Sequence, residues 1–284
     1  NINNTADLLD KHINGNTELV IGNDADGKEL AGYNEGLALQ NNGEIVEKDT
    51  AFEISGEGNI FVNDGSLNKS QKSLEGATIV NKGEITFTGN NGQNVGKNGV
   101  GYNYGVISNS GSNGQSIGTN GVGYNYGLIV NNNEKGQNIV LGLGYNYGVI
   151  SNKGQQGQRI EKGTGYNYGI IFNQNQIGQN IISGIGYNYG KILNKGQLGQ
   201  RIQDGKGYNY GLISNKENFG QYLTGNAIGY NYGLIRNEGG SGQNIGSNGI
   251  GYNYGLIFNT ANYGQNIGNN GVGYNYGIIA NKKN

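Results

Sequence analysis

Single isoleucines set among polar residues recur along this chain. From Gly92 onward one apolar residue closes the phrase Gly-Gln-x-Ile and another closes Asn-x-Gly-x-Ile, with Gly, Asn, Gln, Ser and charged residues between them. The repeats lack the three-and-four spacing of an amphipathic helix, and their glycine and asparagine density opposes helix. Short strands are the expected element. GYNYG begins at Gly101, Gly123, Gly144, Gly165, Gly186, Gly207, Gly229, Gly251 and Gly273, a period of 21 or 22 residues. Thirteen residues separate each GYNYG from the next Gly-Gln, whereas the return takes 8 or 9, so all length variation falls in one connection. Insertions are tolerated in turns rather than in hydrogen-bonded ladders, which locates one turn of every repeat.

A repeat of this length without a leucine framework predicts an all-β parallel solenoid, each strand stacked on its copy one coil away. Loosened to Asn-x-Gly-x-Ile, the motif also appears from Asn41, Asn63 and Asn81, giving about twelve coils. At ~4.8 Å per coil they form a rod roughly 55 Å long. Residues 39–284 are read as the solenoid, with regular GYNYG coils from about residue 92. Residues 1–38 hold the helix-like "ADLLD" and are expected to cap or lead into it.

Comparing coils assigns faces. The column of Ile107, Ile129 and Ile150 is Ile in eleven coils and Leu67 in the other, hence core. Val95, Ile117 and their equivalents form a second core column. Gln115, Gln137, Gln158, Gln179 and Gln200 lie two residues earlier on the same side of a strand, so they are expected to form a buried amide ladder. Asn103, Asn125 and Asn146 are expected to form another at a bend, as are Asn109 and its equivalents. The column of Tyr104, Tyr126, Tyr147, Tyr168, Tyr189, Tyr210, Tyr232, Tyr254 and Tyr276 has Asn42, Asp64 and Lys82 in the early coils, so it is expected to face solvent. Val106 shares its column with Glu44, Ser66, Glu84 and Lys191, and is placed outside too. The Tyr102 column replaces Gln40, Val62 and Val80, which leaves its direction open.

Composition narrows the possibilities. The 284 residues include 57 Gly and 21 Tyr, no Pro, Cys, Met or Trp, and a formal charge of −1. Disordered chains have few aromatics and high net charge, so order is expected in spite of the thin apolar inventory. The absence of cysteine excludes disulfides and thiolate chemistry. No basic block suggests nucleic acid as a partner, no apolar run is long enough to span a membrane, and no signal peptide is visible at the start.

In "NNGEI", "NKGEI" and "NYGVI", repeated at about 22 residues over roughly 40–281, the chain resembles the β-helical passengers of autotransporter and filamentous-haemagglutinin-like adhesins of type V secretion. That resemblance implies a secreted or surface-exposed bacterial protein working in adhesion. The Gly-Gln-x-Ile phrase, with its stacked Gln and Asn, is also similar to curli-type amyloid subunits, although GYNYG is not part of the curli pattern.

Candidate chemistry is sparse. β-Helical polysaccharide-degrading enzymes need clustered carboxylates, yet six of the seven Asp precede residue 65, and Asp204, Glu134, Glu161, Glu217 and Glu238 fall at scattered variable positions. His12 lies in the non-repeat segment and is read as a surface residue. "NDADG", with Asp24 and Asp26, lacks the further ligands of a calcium loop and is read as an Asp-Gly turn. An ice-binding solenoid needs a threonine ladder, and Thr is scarce in the repeats. No catalytic, metal or cofactor site is assigned. The expectation is a non-enzymatic extracellular rod presenting a tyrosine ladder for adhesion or self-association, to another copy or to a surface glycan or protein. A subunit of a self-assembling curli-like fibre or biofilm matrix is the alternative.

Overall fold

The structure, a computed structural model, describes residues 2–4, 20–21, 38–41, 44–45, 52–54 and 56–282. These form three parallel sheets of 13, 12 and 12 strands wound into a solenoid. One coil comprises the strands Asn113–Ile117, Val122–Asn125 and Leu128–Asn131, which belong to what we call the glutamine, tyrosine and isoleucine sheets. Each strand pairs in register with its copy in the next coil: Gln115 with Gln137, Tyr124 with Tyr145, Ile129 with Ile150. Identical residues therefore stack into columns along the axis. The twelve strands of the isoleucine sheet, from Glu44–Ile45 to Ile278–Asn281, make about eleven turns. At the N-terminal end, Ile2–Asn4 pairs with Ala38–Asn41 in the tyrosine sheet, and Val20–Ile21 with Phe52–Ile54 in the glutamine sheet. The helical character expected of "ADLLD", together with His12, Asp24 and Asp26, lies outside the described residues.

The core is narrow. Both apolar columns are fully buried through the middle coils, as Ile107, Ile129 and Ile150 and as Val95, Ile117 and Ile139, and open only in the last described coil at Ile267 and Ile279. The tyrosine sheet contributes Gly101 and its equivalents, whose missing side chain leaves room for the neighbouring isoleucine: a Cβ at Gly123 would lie 2.3 Å from Ile117 Cδ1. One early coil solves the same packing problem in reverse: Ile79 replaces the glycine and the fully buried Ser73 replaces the isoleucine, so total volume is nearly kept.

Two local rules hold the coil shape. The glycine of Asn-x-Gly sits where successive coils approach closely, and a Cβ at Gly105 would lie 2.0 Å from Gly83 O. The length-variable connection holds one left-handed residue per coil: Asn98, Asn120, Leu141, Lys162, Ser183, Asp204, Gly225, Asn248 and Asn270 have φ between 51° and 63°. The exposed Leu141 takes this conformation against its side chain's preference.

Candidate functional site: an outer tyrosine strip

Three amide ladders fix the coils beneath the strip. In the glutamine sheet each Nε2 donates to the Oε1 one coil toward the N-terminus: Gln115 to Gln93, Gln137 to Gln115, Gln158 to Gln137, Gln179 to Gln158 and Gln200 to Gln179, at 2.6–2.7 Å. The column reaches back to Gln71, whose Nε2 donates to Phe61 O and Val80 O. The asparagine ladders run the opposite way. Asn103 donates to Asn125, Asn125 to Asn146 and Asn146 to Asn167 at 2.7–2.8 Å, directly below the tyrosine corner. A second asparagine ladder begins at Asn109, one coil after Phe87, which cannot donate, and Asn109 Oδ1 is accordingly buried without a partner. Among the described residues Asn113 Oδ1 and Asn180 Oδ1 are likewise buried without a partner; along the ladders the other inward amides satisfy one another, which offsets the cost of burying them.

With Gly123 and Asn125 turned inward, strand alternation turns Val122 and Tyr124 outward. The structure thus resolves the open direction of the Tyr102 column: it stands on the outer surface beside the Tyr104 column. Rings in each column stack on their copies with centroids 4.8–5.1 Å apart and planes within 11°. Within a coil the two rings lie 6.1–6.5 Å apart and within 13° of parallel. Tyr104, Tyr126, Tyr147, Tyr168, Tyr189, Tyr210, Tyr232 and Tyr254 are 41–50 % exposed, as the early-coil residues in their column implied, and Tyr276 is 66 % exposed.

Aliphatic columns flank the rings. On one side stand Val100, Val122, Leu143, Thr164, Ile185, Lys206, Ile228, Ile250 and Val272; on the other Val106, Leu128, Val149, Ile170, Lys191, Leu212, Leu234, Leu256 and Ile278. Sequence comparison identified the second flank through its early-coil charges but missed the first. The alternation of Val100 with the inward Gly101 would have found it. Lys191 and Lys206 are the only charges in these four columns over the nine coils.

Burial raises the pKa of Tyr124, Tyr145, Tyr187, Tyr208 and Tyr230 above the ordinary phenol value, and the prospect of neighbouring phenolates raises it further. The outer Tyr126 and Tyr189 shift the same way. These seven phenols thus stay uncharged at neutral pH. The acidic residues of the repeats lie elsewhere: Glu134 pairs with Lys135 and Glu161 with Arg159, while Asp204 Oδ1 accepts the backbone N–H of Asn226. Among the described residues no helix is long and apolar enough to cross a membrane. Comparison of the chain with protein-family models, curated proteins and solved structures finds no match.

Proposed function

We propose that this chain is a non-catalytic rod of an extracellular structural or adhesion protein, and that its tyrosine strip binds a second copy of the same rod side by side. The observation that carries this reading is the outward double tyrosine column between two aliphatic columns, nearly free of charge over nine coils. From coil spacing and strand rise the strip covers on the order of 800 Å², larger than the patches monomers usually expose and similar to one partner's share of a standard interface. A second rod matches it well, since both strips repeat at the coil spacing and can align in several registers. Face-on stacking by a sugar chain is disfavoured, because each ring inside a column already has a ring above and below it. The resemblance to β-helical passengers supports a place outside the cell.

Sedimentation velocity over a range of concentrations, paired with electron microscopy, tests the reading. It expects rods that pair laterally as concentration rises. Long filaments growing along the coil axis would favour the curli-like alternative. Dispersed single rods at every concentration, with binding to a glycan or to a cell-surface protein, would move the partner away from a second copy.

A further inference from the structure

The tyrosine columns also have a geometry that matters for redox chemistry, independent of whether rods associate. Eighteen of the 21 tyrosines stand in two continuous rows. Each inner phenol has like neighbours with centroids about 4.9 Å away above and below and one 6.1–6.5 Å away in its own coil. Tryptophan, cysteine and methionine, the other readily oxidised side chains, are absent from the chain. An oxidising equivalent that enters the strip therefore has only chemically equivalent sites to move between. Transfer rates fall steeply with distance, so neighbouring rings dominate the path, and the double row gives a way round any single blocked ring.

We propose that the strip accepts one-electron oxidation from an external oxidant of the peroxidase class and relays it along the rod as a migrating phenoxyl radical. A peroxidase consuming hydrogen peroxide takes one electron and one proton from each of two phenols and releases two waters. In a hop, the neighbouring phenol gives its electron to the phenoxyl. The proton leaves the donor hydroxyl for water as another is taken up by the new phenolate, so the pair exchanges states with no net change. The half-exposed outer column keeps its side chains open to the water this needs. The relay ends when two phenoxyls meet: their ortho carbons bond and the two ring hydrogens pass to the oxygens, giving a dityrosine.

The chain lacks cysteine, so Thr119→Cys, in an exposed turn near Tyr124, gives a unique anchor for a ruthenium photo-oxidant. A pentaamminecobalt(III) quencher removes the excited electron irreversibly, and a biotin-phenol probe traps phenoxyls for mapping by peptide mass spectrometry. The blocked variant also carries Tyr166→Phe, Tyr168→Phe, Tyr187→Phe, Tyr189→Phe, Tyr208→Phe and Tyr210→Phe, which keep stacked rings but remove the oxidisable hydroxyl over three coils. With dilute, monomeric protein, adducts are expected at Tyr230, Tyr232, Tyr252 and Tyr254 in the anchored parent and at least tenfold fewer there in the blocked variant, with those at Tyr124 and Tyr126 retained. Circular dichroism and melting confirm that both chains are folded. Adducts confined to the anchoring coil in the parent, or distant adducts unaffected by the block, overturn the relay. Neither result bears on rod pairing, which sedimentation reads separately.

Discussion

Gly165 lies against Ile160 so closely that a Cβ on the glycine would fall 2.4 Å from Ile160 Cδ1. Core volume is therefore shared between two columns, as the Ser73 and Ile79 coil shows with the sizes exchanged. Gly165→Ile alone should cost about 3 kcal/mol or more by overpacking. Adding Ile160→Ser, which reproduces the early-coil arrangement, should recover a measurable part of that loss. A double-mutant cycle by urea unfolding reads the coupling; strictly additive losses would mean that the two columns do not share space.

The glutamine ladder makes a sharper contrast between neighbours. Gln158 Nε2 donates to Gln137 Oε1 at 2.6 Å, and Gln158 Oε1 accepts from Gln179 Nε2 at 2.7 Å. Gln158→Leu removes both bonds at a fully buried position, at about 1–3 kcal/mol for each group left unpaired. Arg159→Leu, one residue on, disturbs a partly exposed side chain paired with Glu161 and should change stability by less than about 1 kcal/mol. Equal shifts in unfolding midpoint would show that the ladder does not stabilise the coil.

Leu141 holds a φ of 57° in an exposed turn, where Asn120 occupies the corresponding position one coil earlier. Leu141→Asn should stabilise the protein by up to about 1 kcal/mol, since asparagine tolerates the left-handed region and little packing is lost. Leu141→Ile should destabilise it, because branching at Cβ worsens the same clash. A fall in melting temperature for the asparagine variant would contradict this account of the turn.

Alkaline pH should weaken the fold. Tyr124, Tyr126, Tyr145, Tyr187, Tyr189, Tyr208 and Tyr230 have pKa values raised above the ordinary 10.0, first by burial and then by their neighbours, so the unfolded chain releases these protons at lower pH than the folded one. By linkage, stability is unaffected while both states stay protonated and declines as pH rises through about 10 toward the folded values. Unfolding midpoints measured from pH 7 upward, with phenolate absorbance recorded in parallel, check this. A midpoint that stays constant while the unfolded phenols ionise would contradict it.

Much of this was legible in the sequence because stacking turns each column into an internal alignment. Lys82 and Asp64 marked the Tyr104 column as outer, and the unbroken isoleucines marked the core. The Tyr102 column was not legible by that route, since Val62 and Val80 suit either face. Its direction follows from the inward Gly101 and Asn103 on either side, and glycine carries no apolar signal. The left-handed turn was hidden for a related reason: Leu141 and Lys162 adopt a conformation that neither side chain favours, so their identities did not reveal it. The opposed directions of the glutamine and asparagine ladders follow from side-chain geometry that residue types alone do not specify.

The central claim is that the tyrosine strip joins rods without being needed to form them. The outer tyrosine column already accommodates a stacked opposite-charge pair, Asp64 with Lys82 at 3.8 Å. Changing Tyr147→Asp, Tyr168→Lys, Tyr189→Asp and Tyr210→Lys together repeats that pairing along four coils and places alternating charge in the middle of the strip. Sedimentation equilibrium of this variant beside the parent, with circular dichroism on both, is the most direct measurement. The account predicts a parent that associates with rising concentration and a variant that keeps its strand signal yet remains monomeric. A folded variant that associates as strongly as the parent would contradict it.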